Sequence, residues 1–184
     1  MTDERFLTPR WDVSWDDIDE AVEGLGGVRA AAPDDDGDDD DERVEWRLDG
    51  AEVRLFVDSA LHVDQIGVTG ERRDEVAGVL EQVVPVHRAD EVPGMFDEAE
   101  GVGDLTRALG VLAALAPADP DPALVEVLRR GLQHDDPDVR HAALVAASVP
   151  AWSVLRPDIE RLTQDEDADV RTMAPLVLRS LERS

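Results

Sequence analysis

Eight residues near the C-terminal side recur 31 positions apart. Gln133-His134-Asp135-Asp136-Pro137-Asp138-Val139-Arg140 aligns with Gln164-Asp165-Glu166-Asp167-Ala168-Asp169-Val170-Arg171. The glutamine, the paired acids and Asp-Val-Arg all return in register. Self-similarity at a period near 31, with room for two short helices in each period, is the mark of stacked helical hairpins. Asp136-Pro137 supplies a cap acceptor followed by proline at the first helical position. The 3.6-residue apolar period predicts helices over 104–116, 121–133, 137–149, 151–163 and 168–181, separated by Asp/Pro-rich turns.

Before about residue 85 the period is largely two. Val44, Trp46 and Leu48 alternate with polar residues, as do Val53, Leu55 and Val57, and Asp49-Gly50 lies between the runs. That arrangement predicts a hairpin with a type I′ turn. Leu61, Val63, Ile66 and Val68 predict a third strand broken near Asp64-Gln65, and 28–32 a further one. Ser14 caps a predicted helix running to Glu23, and 71–84 reads as another, with Val76, Val79, Leu80 and Val83 on one face. The expected architecture is therefore an α+β domain over 1–84, with an antiparallel sheet and helices on one side. A linker over 85–104 follows, interrupted by Pro85, Pro93, Gly94, Gly101 and Gly103, and then an all-α repeat region over 105–184.

Residues 135–144, Asp-Asp-Pro-Asp-Val-Arg-His-Ala-Ala-Leu, resemble the turn and first helix of HEAT repeats, especially the short variety also found in phycobilisome-lyase proteins. Residues 165–174 resemble a second copy, with Ala168 for Pro137 and Met173 for Ala142, and 105–133 a degenerate first one. The resemblance implies a short solenoid in which the valine packs inward. It further implies that Asp138, Arg140, Asp169 and Arg171 form a charge ladder between units, and that the second helix of each unit lines a concave face. Related repeats mostly serve as protein-binding scaffolds, and some belong to lyases that attach bilin chromophores.

On the second helices, Arg129, Arg130 and Gln133 point away from Leu124, Val127, Leu128 and Leu132, while Arg156 and Arg161 point away from Leu155, Ile159 and Leu162. Two readings stand for these arginines: a groove for an acidic peptide or a phosphate, or pairing with nearby acids on a solvated face. The first makes the chain a non-catalytic adaptor that binds another protein. The alternative class is a lyase-like or small-ligand-handling protein.

Charge bears on partners. Forty-four acids face 18 basic residues, all arginine, for a net charge of −26; residues 1–104 carry −22 of it and 105–184 only −4. Nucleic-acid binding is disfavoured, because phosphate recognition needs a basic footprint. Arginine without lysine, three Phe and no Tyr resemble the archaeal-like proteome style of salt-in halophiles, whose molar salt screens such self-repulsion. The acidic run 34–42 fails as an EF-hand: with Gly37 at the sixth loop position, Ala32 and Arg43 fall where oxygen ligands belong. It reads as a solvated loop. No cysteine is present, and His62, His87, His134 and His141 lack zinc spacing, with only His134 and His141 close enough in sequence to meet across a helix start. No nucleophile elbow or phosphate loop occurs, so no cofactor is expected. No apolar run is long enough to span a bilayer and no secretory signal opens the chain, so the expected setting is the cytoplasm. Trp11 and Trp15, four residues apart, are expected to clamp the first helix to the sheet.

Overall fold

The computed structural model describes residues 4–30, 43–58 and 60–182, so the acidic run 34–42 lies outside the described residues. The chain divides into two units, Met1–His87 and Arg88–Ser184.

In the first unit, strands β1 (Arg5–Leu7), β2 (Val28–Arg29), β3 (Arg43–Leu48), β4 (Ala51–Asp58) and β5 (Val63–Thr69) form an antiparallel sheet in the order β1-β5-β4-β3-β2. Helices α1 (Trp15–Gly24) and α2 (Arg73–Val83) cover one face. Ser14 and Asp17 form a reciprocal capping box at the start of α1, and hydrogen bonding to Ser14 lowers the Asp17 pKa. Register sets the core. Leu55 opposes Ile66 and Val53 opposes Val68, so these four share the face that meets Ile18 and Val22 of α1 and Val76, Ala77 and Leu80 of α2. Trp46, also buried, donates its indole N–H to Asp19 at 2.6 Å, pinning α1 to β3. Trp15 is half-buried against this core, whereas Trp11 is exposed and stacks at a tilt 4.8 Å from the His87 ring.

Two local expectations are corrected. The Asp49-Gly50 turn joins Leu48 to Ala51, but only Gly50 has positive φ, at 72°, so it is not type I′. Arg72 supplies the reason: its Nη1 donates to the Asp49 carbonyl at 3.1 Å and its backbone N–H to the Gly50 carbonyl at 3.0 Å, fixing both peptides. The expected break at Asp64-Gln65 is also absent. β5 runs unbroken because Val63 packs on the opposite face from Ile66, and Gln65, buried, sits opposite Phe56 on that second face.

The second unit is helical throughout: α3 (Val92–Asp97), α4 (Val102–Leu115), α5 (Pro122–Leu132), α6 (Pro137–Ser148), α7 (Arg156–Leu162) and α8 (Ala168–Leu181), with 3-10 turns at Ala89–Glu91 and Ser153–Leu155. The segment expected as a linker over 85–104 instead contributes α3 and the start of α4. Val92 and Phe96 are buried, and Pro93 sits in the first turn of α3, where its missing N–H costs nothing. Packing is ordered in two rows. α4, α6 and α8 are successive neighbours in one, α3, α5 and α7 in the other, and α3–α4, α5–α6 and α7–α8 pack as pairs. Gly131 marks a close approach of α5 to α4 and α6. A Cβ there would lie 2.9 Å from Ala143 Cβ on α6 and 3.2 Å from Leu109 on α4, so glycine lets α5 sit this close to both helices. Trp152, buried, closes the α6–α7 connection by donating to the carbonyls of Pro117 and Ala118 at 3.2 and 3.3 Å.

Candidate functional site

The repeated octapeptide is built twice in the same way. At its start, Asp136 caps α6 by accepting the Asp138 N–H at 2.9 Å, and Asp167 caps α8 by accepting the Asp169 N–H at 2.9 Å. Two residues earlier, His134 Nδ1 accepts the Asp136 N–H at 3.0 Å, and Asp165 Oδ1 accepts the Asp167 N–H at 2.9 Å. At its end, Arg140 Nη1 donates to the carbonyls of His134 and Asp135 at 2.9 and 2.8 Å. Arg171 Nη1 donates to those of Asp165 and Glu166 at 2.5 and 3.2 Å. Every one of these contacts recurs at the 31-residue offset. The arginine folds back over its own turn and gives a partner to carbonyls that lie between the two helices, outside either helical ladder.

The two arginines then part. Arg140 uses Nε and Nη2 to grip the Asp165 carboxylate at 2.9 and 2.7 Å, a bidentate pair with both side chains 8% exposed. The pairing raises the Arg140 pKa and lowers that of Asp165. Arg171 is exposed; it hydrogen-bonds through Nη1 to backbone carbonyls, and its charge makes only a minor contribution to the lowered Asp165 pKa. The ladder implied by the HEAT resemblance is thus differently built: the acid that joins successive turns is Asp165. Asp138 and Asp169 lie instead, with Asp167, His141, Met173 and Leu176, around an open cleft of about 330 Å³ at the N-terminal ends of α6 and α8. His134, turned into its own turn, and His141, on the cleft, serve different places.

The five side chains expected to meet a partner fall into three groups. Arg129 Nε, Gln133 Nε2 and Arg161 Nη2 converge on the Asp158 carboxylate at 3.3, 3.3 and 2.5 Å. Arg130 lies apart, 2.6 Å from Asp97 and 4.9 Å above the centre of the Phe96 ring. Arg156 makes long pairs of 3.8 Å with Glu160 and Glu182. Each cation therefore has a local acid. The Asp158 cluster still holds two cations to one anion, and Arg161 is the more accessible, its side chain 61% exposed against 38% for Arg129. An incoming carboxylate can compete there with Asp158. Asp158 itself escaped the sequence reading because an acid in the first turn of a helix is explained by the helix dipole alone.

Among the described residues no group of three or more His, Asp or Glu is placed to hold a metal ion, and no helix is long and apolar enough to cross a membrane. The chain matches no family model, no curated protein and no solved structure.

Proposed function

We propose that the helical unit is a short HEAT-like solenoid acting as a non-catalytic adaptor in a high-salt cytoplasm. It would bind another protein through the side formed by α5 and α7. The observation that carries this reading is the twice-built turn, since identical hydrogen bonding at a fixed offset is how a solenoid propagates one hairpin onto the next. Further support comes from the two-row packing and from the excess positive charge around Asp158 in a chain of net −26. The partner segment is then acidic, its carboxylate taking the place of Asp158 between Arg129 and Arg161.

The test is cross-linking and mass spectrometry of tagged protein in host lysate at molar KCl, comparing wild type with Arg129→Glu/Arg161→Glu. The reading expects one reproducible partner cross-linked to α5 and α7, lost in the double variant while helicity by circular dichroism is kept. Capture that survives the double change contradicts the site.

A further inference from the structure

The outward stripe of α8 carries an unused half of the repeat geometry. Arg171, Pro175 and Leu178 stand 31 residues after Arg140, Leu144 and Ala147, all buried in α6. In α8 the same positions are open: Arg171 and Pro175 are exposed and Leu178 is half-buried. At 3.6 residues per turn, Glu182 falls on this stripe too, and it is also exposed. The stripe thus reads arginine, proline, leucine, glutamate, with an apolar centre between a cation and an anion about 16 Å apart along the axis. Arg171 offers Nε and Nη2, the edge with which Arg140 holds Asp165.

Such a stripe is complementary to itself when run antiparallel. A two-fold axis opposite the middle of α8 sets position 171 against 182 and 175 against 178, since both pairs are centred on the same point. Arg171 of each copy then meets Glu182 of the other, and Pro175 meets Leu178 twice. A closed two-fold contact repeats each favourable pair, so modest contacts count double. Glu182 is only loosely held at home, 3.8 Å from Arg156. We propose that the outward stripe of α8 is a self-association surface, on which a second copy of this chain docks antiparallel and supplies Glu182 to Arg171. Two bodies of net −26 repel, so the pairing strengthens as KCl rises to molar levels and screening shortens the reach of that repulsion to about 3 Å. Simple ion-pair association behaves in the opposite sense.

Sedimentation equilibrium of the full chain at low and molar KCl tests this. The expected result is a concentration-dependent dimer favoured by KCl. Leu178→Asp and Glu182→Arg should each weaken it about tenfold, the second by setting two cations against each other twice. Because Arg171 also braces its own turn, Arg171→Glu is read only alongside Arg171→Glu/Glu182→Arg, in which the exchanged charges restore the dimer. A chain that stays monomeric in molar KCl overturns the proposal. So does a dimer indifferent to Leu178→Asp and Glu182→Arg.

Discussion

The turns 133–140 and 164–171 share their local hydrogen bonds and differ in what lies beyond them. In the first, Arg140 is buried and reaches across to Asp165, 25 residues on; in the second, Arg171 has the same backbone anchors and faces outward. One motif therefore does two things: it shapes a turn by short-range bonding, and it clamps neighbouring turns when a carboxylate is placed opposite. The shape needs only local sequence. The clamp needs the stack.

The comparison is sharpened most by removing each arginine in turn. Arg140→Ala strands Asp165 as a nearly buried anion and should cost about 3 kcal/mol, whereas Arg171→Ala loses exposed bonds to carbonyls and a minor charge interaction with Asp165 and should cost about 1 kcal/mol or less. Urea unfolding in molar KCl, followed by the helical signal, measures both; equal losses would break the distinction. Acid separates the turns as well. The folded-state pKa of Asp165 lies below its ordinary value of 3.8, chiefly through the bond to Arg140. Its contribution to stability is complete above the unfolded value and is lost as pH falls through the lower folded one. Asp165→Asn should flatten that part of the acid-unfolding profile, and a profile unchanged by Asn would contradict the clamp.

Smaller effects test the shared part. Asp136→Ala and Asp167→Ala each remove a helix cap and should each cost about 1 kcal/mol in the same unfolding assay, Asp167 somewhat more because it also accepts the Val170 N–H. The smallest effect repairs the one sequence difference at the helix start. Ala168→Pro copies Pro137 at a position where Asp167 already has extended dihedrals, and it should add about 0.5 kcal/mol. A loss of stability there would mean that the two helix starts are not equivalent.

The starts of α5, α6 and α8 were legible because caps and prolines act locally: Asp121, Asp136 and Asp167 announce them within a residue or two, whereas α7, expected from 151, begins only at Arg156 after the 3-10 turn Ser153–Leu155. The hairpin of β3 and β4 was legible for a similar reason, its alternation being written on both sides of Asp49-Gly50. What stayed hidden depends on distant partners. Strand β1 is three residues long and takes its pairing from β5, some sixty residues away. The turn type at Asp49-Gly50 is set by Arg72, and α3 is helical despite Pro93 and Gly94 because Val92 and Phe96 find a core to enter. At the candidate site the sequence picked out the arginines. It missed Asp158 and Asp165, whose roles arise only when turns 25 or more residues apart are stacked.

The most direct measurement is a pair of double-mutant cycles in unfolding free energy, one on Arg140 with Asp165 and one on Arg171 with Asp165. The account predicts a coupling of about 2 kcal/mol in the first and less than about 0.5 kcal/mol in the second. Equal couplings, or none for Arg140 with Asp165, would contradict the claim that one repeated turn becomes a clamp only where the stack places a carboxylate against it.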